Sequence, residues 1–334
     1  MRIKKEVRKI VASVLAFLMV VSLIPVNSLM TKANAASKTT FEGGKTVEDG
    51  TWKGWTWNVF GSSTDVTKAS ATDTGNGGVT LEVTGDKGKI NGSASDQGLN
   101  TFLYELDKSY DFTITAQAKI DTLATNEQAA FGLTIRDNVG THGNTTKLTA
   151  DKNNFAFVGG YGNKDNNADE TTNHGNAGYK TTKLKHTRLG KSPAVGGTYD
   201  LAIQKIGDSV KLYFDGEVAA ECSAADLITD DTMYVGLFAA RNAKITFNNV
   251  KLAYTQDSSS VKVTNVTAPK KTTYCAGNTY EDVDLTGFKA TVSVDGKERE
   301  ITAADCVVDM SSKPFSEVTE AGKLNLLYLG PVIE

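Results

Sequence analysis

The stretch that decides the fold is YDLAIQKIGDSVKLYFDG, residues 199–216. Its apolar side chains recur at every second position on both sides of a glycine turn: Tyr199, Leu201, Ile203, Leu212 and Phe214. Side chains two residues apart point to the same face of a β-strand, so each half is predicted to be a strand with one buried face. The stretch is therefore a predicted β-hairpin.

The same alternation appears along most of the chain, between short clusters of Gly, Asn, Asp and Ser. The clearest segments are residues 79–84, 112–120, 131–135, 155–157, 234–238 and 245–247. No stretch beyond the N-terminal segment shows convincing helical periodicity, so the chain is predicted to be all-β.

A small polar run, QDSSS at residues 256–260, interrupts this pattern and has the composition of a flexible linker. Beyond it, residues 261–334 are again strand-like, and Asp295-Gly296 supplies the positive φ that a tight hairpin turn requires. We expect two modules, residues 36–255 and residues 261–334.

The N-terminus has the pattern of a secretory signal. Basic residues between Arg2 and Lys9 precede an apolar stretch at 10–24, and Ala33-Asn-Ala35 predicts cleavage after Ala35. The apolar stretch is shorter than the roughly 20 residues that a membrane-spanning helix needs. Residues 1–35 are thus a predicted signal peptide, with membrane contact only during export to the extracellular space.

Removal of residues 1–35 leaves 30 Lys and Arg against 38 Asp and Glu. This acidic balance argues against a general attraction to nucleic acid.

The sequence has three cysteines, Cys222, Cys275 and Cys306, which are too few for a disulfide scaffold. Cys275 and Cys306 fall in the same module, where they either pair or remain thiols.

Residues 199–216 resemble the late hairpin of concanavalin A-like lectin/glucanase sandwiches. GWTWNVFG at 54–61, FGLTIRD at 131–137 and VGLFAARNAKITFNNVKL at 235–252 are similar to sandwich modules of secreted bacterial polysaccharide-degrading enzymes, notably pectate lyases. This resemblance implies a lectin-like antiparallel β-sandwich (jelly roll) over residues 36–255 that binds carbohydrate.

Residues 268–302 resemble bacterial Ig-like domains, which serve as spacers in extracellular proteins. The shared residues include Pro269, Gly277 and the Asp-Leu-Thr-Gly of 284–287. Family members continue for one more strand after a Tyr-x-Gly turn, here Tyr328-Leu-Gly330, whereas this sequence stops at Glu334. The resemblance therefore implies a smaller, incomplete Ig-like sandwich, and the N-terminal part of a longer protein or a truncated gene product.

The sequence contains no recognisable catalytic motif. Hydrolytic lectin-fold glucanases carry Glu-x-Asp-x-x-Glu because two carboxylates must flank the scissile bond, and no such triplet occurs. Gly-x-Ser-x-Gly and His-Glu-x-x-His are also missing from the sequence. His142, His174 and His186 fall in a loop-rich region and are interpreted as solvated side chains.

Asp165, Asn167 and Asp169 match the first three ligand positions of an EF-hand calcium loop. Glu170 stands where the turn needs Gly, and Asn176 where a bidentate Glu is needed, so the motif fails. No cofactor is predicted, and a looser structural calcium site stays open as an alternative.

Sugar sites combine aromatic faces with a few polar groups. Candidate aromatic residues are Trp52, Trp55, Trp57, Tyr161 and Tyr179. Trp55 and Trp57 share one strand face, which favours a core role for one or both. Tyr161 and Tyr179 fall in predicted Gly/Asn-rich loops between residues 138 and 198, where binding surfaces are common.

Charged candidates lie near the same predicted loops. Arg136 and Asp137 end a strand, where they either contact a ligand or form a structural ion pair at the rim. Between residues 171 and 199 there is no acid, while basic side chains accumulate: Lys180, Lys183, Lys185, Arg188 and Lys191. Such a patch has the right sign for a polyuronate such as pectate, although a merely solvated loop would look the same.

The sequence predicts a non-catalytic, extracellular carbohydrate-binding module with an Ig-like spacer, from a secreted polysaccharide-degrading enzyme such as a pectate lyase. Its partner would be a polysaccharide, including acidic plant cell-wall glycans. Binding keeps an enzyme close to an insoluble polymer and so raises its effective concentration. The alternatives are a cell-surface adhesin or structural protein, and a catalytic lectin-fold enzyme.

Overall fold

The computed structural model divides the chain into two compact units, with the boundary between Gln256 and Asp257. The residues it describes are 43–61, 65–75, 77–86, 88–90, 97–125, 128–145, 148, 154–164, 171–181, 184–255, 261–274, 283–294, 297–303, 306–309 and 325–328. Over these residues, helices of the length and hydropathy needed to cross a membrane do not occur.

The first unit consists almost entirely of strands. They are β1 (Lys45–Thr46), β2 (Trp55–Gly61), β3 (Ala69–Gly75), β4 (Gly78–Val83), β5 (Gly98–Asp107), β6 (Asp111–Leu123), β7 (Ala130–Arg136), β8 (Phe155–Lys164), β9 (Thr171–Lys180), β10 (Leu184–Arg188), β11 (Thr198–Ile206), β12 (Ser209–Phe214), β13 (Glu217–Ser223), β14 (Thr232–Ala240) and β15 (Ala243–Thr255). Its helices are α1 (Ala224–Leu227) and two short 3₁₀ turns, Gly50–Trp52 and Val66–Lys68.

These strands form two antiparallel sheets. The eight-stranded sheet has the order β1-β2-β5-β14-β7-β8-β9-β10, and the seven-stranded sheet has the order β13-β12-β11-β6-β15-β4-β3. The predicted hairpin is β11–β12, with Leu201 opposite Phe214 and Ile203 opposite Leu212. The all-β prediction and the period-2 pattern that led to it are confirmed.

The two sheets pack face to face and are joined by side-chain hydrogen bonds. Asn100 on β5 donates through Nδ2 to the backbone oxygens of Ser70 (2.8 Å) and Glu82 (3.0 Å) on the seven-stranded sheet. The hydroxyls of Tyr104 and Tyr254 are 3.0 Å apart across the same interface. The first unit is therefore the antiparallel, lectin-like β-sandwich that was predicted.

The outer face of the eight-stranded sheet is also covered. Asn100 pairs with Ala239, which pairs with Phe131, so these three point toward the other sheet, and their neighbours along each strand point away from it. The outward-facing side chains belong to a second apolar cluster that includes Phe60, Leu99, Ala130, Phe155, Phe157, Tyr161 and Phe238. Ile90 and the partly buried Val139 and Leu148, from two connecting segments, pack on it.

One prediction about this region is wrong: much of the stretch 138–198 is sheet rather than loop, because it contains β8, β9 and β10. The glycines of this stretch led to the loop prediction. Gly159 lies opposite Gly132 in the β7–β8 ladder, and a Cβ on Gly159 would lie 2.0 Å from the Phe131 carbonyl oxygen. Here glycine allows close approach of two strands instead of a turn.

The second unit, described by itself, has a three-stranded sheet of β16 (Val261–Thr267), β17 (Lys289–Val294) and β18 (Lys297–Thr302), and a two-stranded sheet of β19 (Cys306–Asp309) and β20 (Asn325–Tyr328). Its buried side chains include Phe288, Val292, Ile301 and Leu326. The Ig-like identity of this unit stays a prediction. The linker 256–260, the Asp295-Gly296 turn and Cys275 lie outside the described residues.

Candidate functional site

Arg136, the last residue of β7, is a buried hub and not a rim residue. It is 0% exposed. Its Nε donates to the Asn138 carbonyl oxygen (3.1 Å), and its Nη2 donates to Gln97 Oε1 (2.5 Å). The guanidinium lies between the rings of Phe60 and Phe155, 5.4 and 5.2 Å from their centroids.

These contacts tie both segments that cover the outer face to the sheet below. The hydrogen bonds continue through Gln97, whose Nε2 donates to the Ile90 carbonyl oxygen (2.9 Å). Burial lowers the pKa of Arg136 to about 10, partly offset by Asp137. The Nη1 atom of Arg136 has no hydrogen-bond partner among the described residues. The predicted rim position of Arg136 is thus wrong, and its contacts are those of a residue that holds loops in place.

Asp137 is likewise buried, with 1% of its surface exposed. Its Oδ1 accepts from the Asn154 backbone nitrogen (3.1 Å) and its Oδ2 accepts from the Thr229 hydroxyl (3.3 Å). Burial raises the pKa of Asp137 to about 6, although Arg136 and these hydrogen bonds act against the rise. A direct contact of this carboxylate with a ligand would require the cover to open.

Tyr161 is buried as well, which contradicts its predicted place in an open loop. It lies on β8, is 1% exposed and packs edge-on against Phe157 and His186, at centroid distances of 6.3 and 5.6 Å. Its hydroxyl accepts a hydrogen bond from Gln128 Nε2 (3.3 Å). The ring face needed for stacking on a sugar is covered by the protein itself.

Two of the three tryptophans belong to the core. Trp52 is 5% exposed and Trp55 is 6% exposed. Trp55 stacks on Phe102 at 5.2 Å, and Trp52 meets both rings edge-on. The structure therefore gives Trp55 the core role that the sequence favours for one or both of Trp55 and Trp57.

Trp57 differs from the other two because it is only partly buried. Its Nε1 donates to Asn100 Oδ1 (2.8 Å). Lys45 on β1 places its Nζ 4.8 Å from the Trp57 ring, and the His142 ring meets it edge-on at 5.0 Å. Sequence reasoning missed Lys45 and His142 as neighbours of Trp57, because long sequence separations leave no local signal.

Tyr179 and Lys185 form a second aromatic and basic pair. Tyr179 is partly buried on β9, and Lys185 lies directly opposite it on β10, the last strand of the sheet. The exposed ammonium of Lys185 is 5.5 Å from the Tyr179 ring centroid. Tyr179 therefore lies in a strand and not in the predicted loop, yet its ring stays partly accessible.

The predicted basic patch does not form one surface. Lys185 and Arg188 are an odd number of residues apart on β10 and so point to opposite faces. Lys191 is paired with Asp215 (2.7 Å). Lys180 is 3% exposed, and burial, followed by the charge of Arg136, lowers its pKa. Lys183 lies outside the described residues.

The structure also bears on the metal alternative. Over the described residues there is no group of three or more His, Cys, Asp or Glu side chains placed to hold a metal ion. Asp165, Asn167 and Asp169, the tested calcium ligands, lie outside those residues. A structural calcium site thus stays a prediction.

Comparison with known proteins places the chain in a family. A curated relative, pectate lyase L of Thermoclostridium stercorarium, is 30% identical over 258 residues, which cover 76% of this chain and 19% of that protein. The chain thus spans about a fifth of the relative's length.

Among solved structures, the carbohydrate-binding module CBM66 from Bacillus subtilis is 16% identical, with a TM-score of 0.36, over 60% of this chain and 95% of that one. The lectin UEA-II complexed with galactose is 11% identical, with a TM-score of 0.38, over 63% and 95%. The family model described as pectate disaccharide-lyase N-terminal domain matches residues 58–257, which is more than half of the chain and most of the sandwich, and the chain belongs to that family.

Proposed function

We propose that the sandwich is a non-catalytic polysaccharide-binding module of a secreted protein of the pectate lyase type. The observation that carries the proposal is the family match, because residues 58–257 coincide with the sandwich. The chain corresponds to only 19% of its pectate lyase relative, and its sequence carries no Glu-x-Asp-x-x-Glu, Gly-x-Ser-x-Gly or His-Glu-x-x-His motif, so the role proposed for the sandwich is binding. Residues 1–35 would direct export to the extracellular space, and the second unit would act as an Ig-like spacer.

The proposed ligand is an acidic polysaccharide, with pectate as the first candidate. Support comes from Tyr179 and Lys185, which lie side by side at the β9–β10 edge. The apolar face of a sugar ring packs on an aromatic ring, while an ammonium group 5.5 Å from that ring is placed to pair with a uronate carboxylate.

The test uses the full chain and trigalacturonate in a calorimetric titration, with a neutral trisaccharide for comparison. We expect binding of the acidic sugar that weakens as salt is added, because the contact is between exposed charges. Lys185→Gln and Tyr179→Ala should each weaken it about 10-fold, equivalent to about 1.4 kcal/mol. The matched control is Lys119→Gln, an exposed lysine on the outer face of the seven-stranded sheet, which should leave the affinity unchanged.

Two results would sink the proposal. One is that neither pectate nor any neutral glycan of a plant cell-wall panel is retained by the full chain. The other is that the purified chain releases cleavage products from pectate, since a binding module alone leaves the polymer intact.

A further inference from the structure

We propose that the opposite edge of the same sheet carries a second surface for acidic sugars, made of Trp57, Lys45 and His142, so that the sandwich is bivalent. This rests on the proposed function, because it assigns a second site for the same class of ligand. The strand order places β2 next to one end of the eight-stranded sheet and β9 next to the other end.

The first step is that Trp57 is held in a fixed orientation. Its indole nitrogen donates to Asn100 Oδ1 (2.8 Å), and Asn100 itself is anchored through Nδ2 to the backbones of Ser70 and Glu82. The indole is therefore oriented by a network that joins both sheets of the sandwich. A ring that is partly exposed and already oriented loses little freedom when a sugar packs on it.

The second step is the charge beside the ring. Lys45 is exposed on β1, the last strand at this edge, with its Nζ 4.8 Å from the Trp57 ring centroid. An exposed cation–π contact of this kind is weak. The ammonium group can therefore turn toward a uronate carboxylate at little cost.

The third step is a hydrogen-bond donor near the ring. His142 Nδ1 accepts a hydrogen bond from the Val59 backbone nitrogen (3.2 Å), which assigns the imidazole proton to Nε2. Burial, together with Lys45, lowers the pKa of His142, so the ring is neutral at neutral pH. A planar ring, a cation and an N–H donor thus meet at one edge, and together they match the apolar face, the carboxylate and the hydroxyls of a uronate.

The two surfaces are far apart. Trp57 on β2 and Tyr179 on β9 are separated by five strand spacings, roughly 24 Å along the sheet at about 4.8 Å each. By the register, both residues are on the sheet face that packs against the seven-stranded sheet. Since that second sheet lies between them, one straight polymer chain cannot follow the face from one edge to the other. Two sites so arranged bind two chains and link them.

The experiment measures stoichiometry and cross-linking with the full chain, in wild type, Lys45→Glu, Lys185→Glu and the double variant. With trigalacturonate we expect two sites per protein in the wild type, one in each single variant and none in the double variant. With polygalacturonate, light scattering should rise through cross-linking in the wild type but not in these three variants. Lys119→Glu is the control for charge change and should behave as the wild type.

Tryptophan fluorescence adds an independent readout. Trp52 and Trp55 are buried, so a change in emission on adding trigalacturonate reports mainly on Trp57. Lys185→Glu should keep this change and Lys45→Glu should lose it, at unchanged thermal unfolding midpoints. Trp57→Phe keeps a ring but loses the indole donor, and it should lower the affinity of the Trp57 surface for trigalacturonate at least 5-fold.

The outcomes separate the two proposals. A single wild-type site that survives Lys45→Glu and is lost in Lys185→Glu refutes the second site and leaves the proposed function standing. A single site lost in Lys45→Glu and kept in Lys185→Glu also refutes bivalence. The absence of any wild-type binding to trigalacturonate or polygalacturonate refutes both.

Discussion

Replacement of Asp137 by Asn should remove part of the pH dependence of the stability of the sandwich. Asp137 is 1% exposed, and burial raises its pKa from 3.8 to about 6. A carboxyl that is harder to ionise in the folded state lowers stability wherever it is ionised. The difference between a pKa of 3.8 and a pKa of about 6 corresponds to about 3 kcal/mol of stability.

The sign follows from proton binding. Between the unfolded pKa and the folded pKa, the folded protein binds more protons than the unfolded one, so stability falls as pH rises through this window. The penalty is absent below pH 3.8 and fully present above about pH 6. Asn has no such proton. Its amide accepts one hydrogen bond fewer than the carboxylate does, and the free-energy cost of that loss does not depend on pH.

The assay is urea unfolding of the full chain, followed by tryptophan fluorescence at about pH 4 and about pH 7. All three tryptophans lie at positions 52–57, so the signal reports on the first unit alone. The stability of Asp137→Asn relative to wild type should increase by about 2–3 kcal/mol between the two pH values.

The matched control is Asp208→Asn. Hydrogen bonds from the Ala225 backbone nitrogen and the Ser223 hydroxyl lower the pKa of Asp208, so its contribution is lost as pH falls and the control should move in the opposite direction. A relative stability of Asp137→Asn that is independent of pH, or that falls as pH rises, would refute the burial of this carboxylate.

Two further substitutions test the covered face by the same urea assay. Gln97→Leu leaves the buried Arg136 with fewer acceptors and should lower the free energy of unfolding by about 2–4 kcal/mol. The control Gln117→Leu, at a partly exposed residue, should lower it by less than about 1 kcal/mol. Equal losses would contradict the structural role of the Arg136 hydrogen bonds. Gly159→Ala puts a methyl group 2.0 Å from a carbonyl oxygen and should cost more than about 2 kcal/mol, while Gly190→Ala meets no atom within 4 Å and should stay within about 0.5 kcal/mol. A tolerated Gly159→Ala would refute the close strand approach.

Alternation of apolar residues predicted the strands that bury one regular apolar face, among them β4, β6, β7, β11 and β12. It predicted a strand at residues 155–157 but not its continuation, because Gly159 and Gly160 break the pattern although they lie inside β8. The same error placed Tyr161 in a loop. A pattern in one segment cannot show that two strands, here β7 and β8, approach each other so closely that both need glycine at the same place.

Site prediction failed for a different physical reason. Lys185 and Arg188 look like one patch in the sequence, but once β10 is a strand, residues three apart fall on opposite faces. Arg136 looks like a rim residue, but two connecting segments fold back over it. Trp57 and His142 come together only through the loop that follows β7. These contacts depend on chain paths that sequence spacing does not encode.

The lysines at the two sheet edges have a simpler explanation that has to be separated from ligand binding. Edge strands carry unpaired backbone groups, and a lysine there discourages pairing with another sheet. Lys45 and Lys185 both lie on edge strands, so protection alone would account for their position. A glutamate protects an edge as well as a lysine does, since either charge opposes stacking of identical edges. If Lys45→Glu and Lys185→Glu remain monomeric and lose acidic sugar, the lysines act in binding; if both remain monomeric and bind as before, edge protection is their whole role.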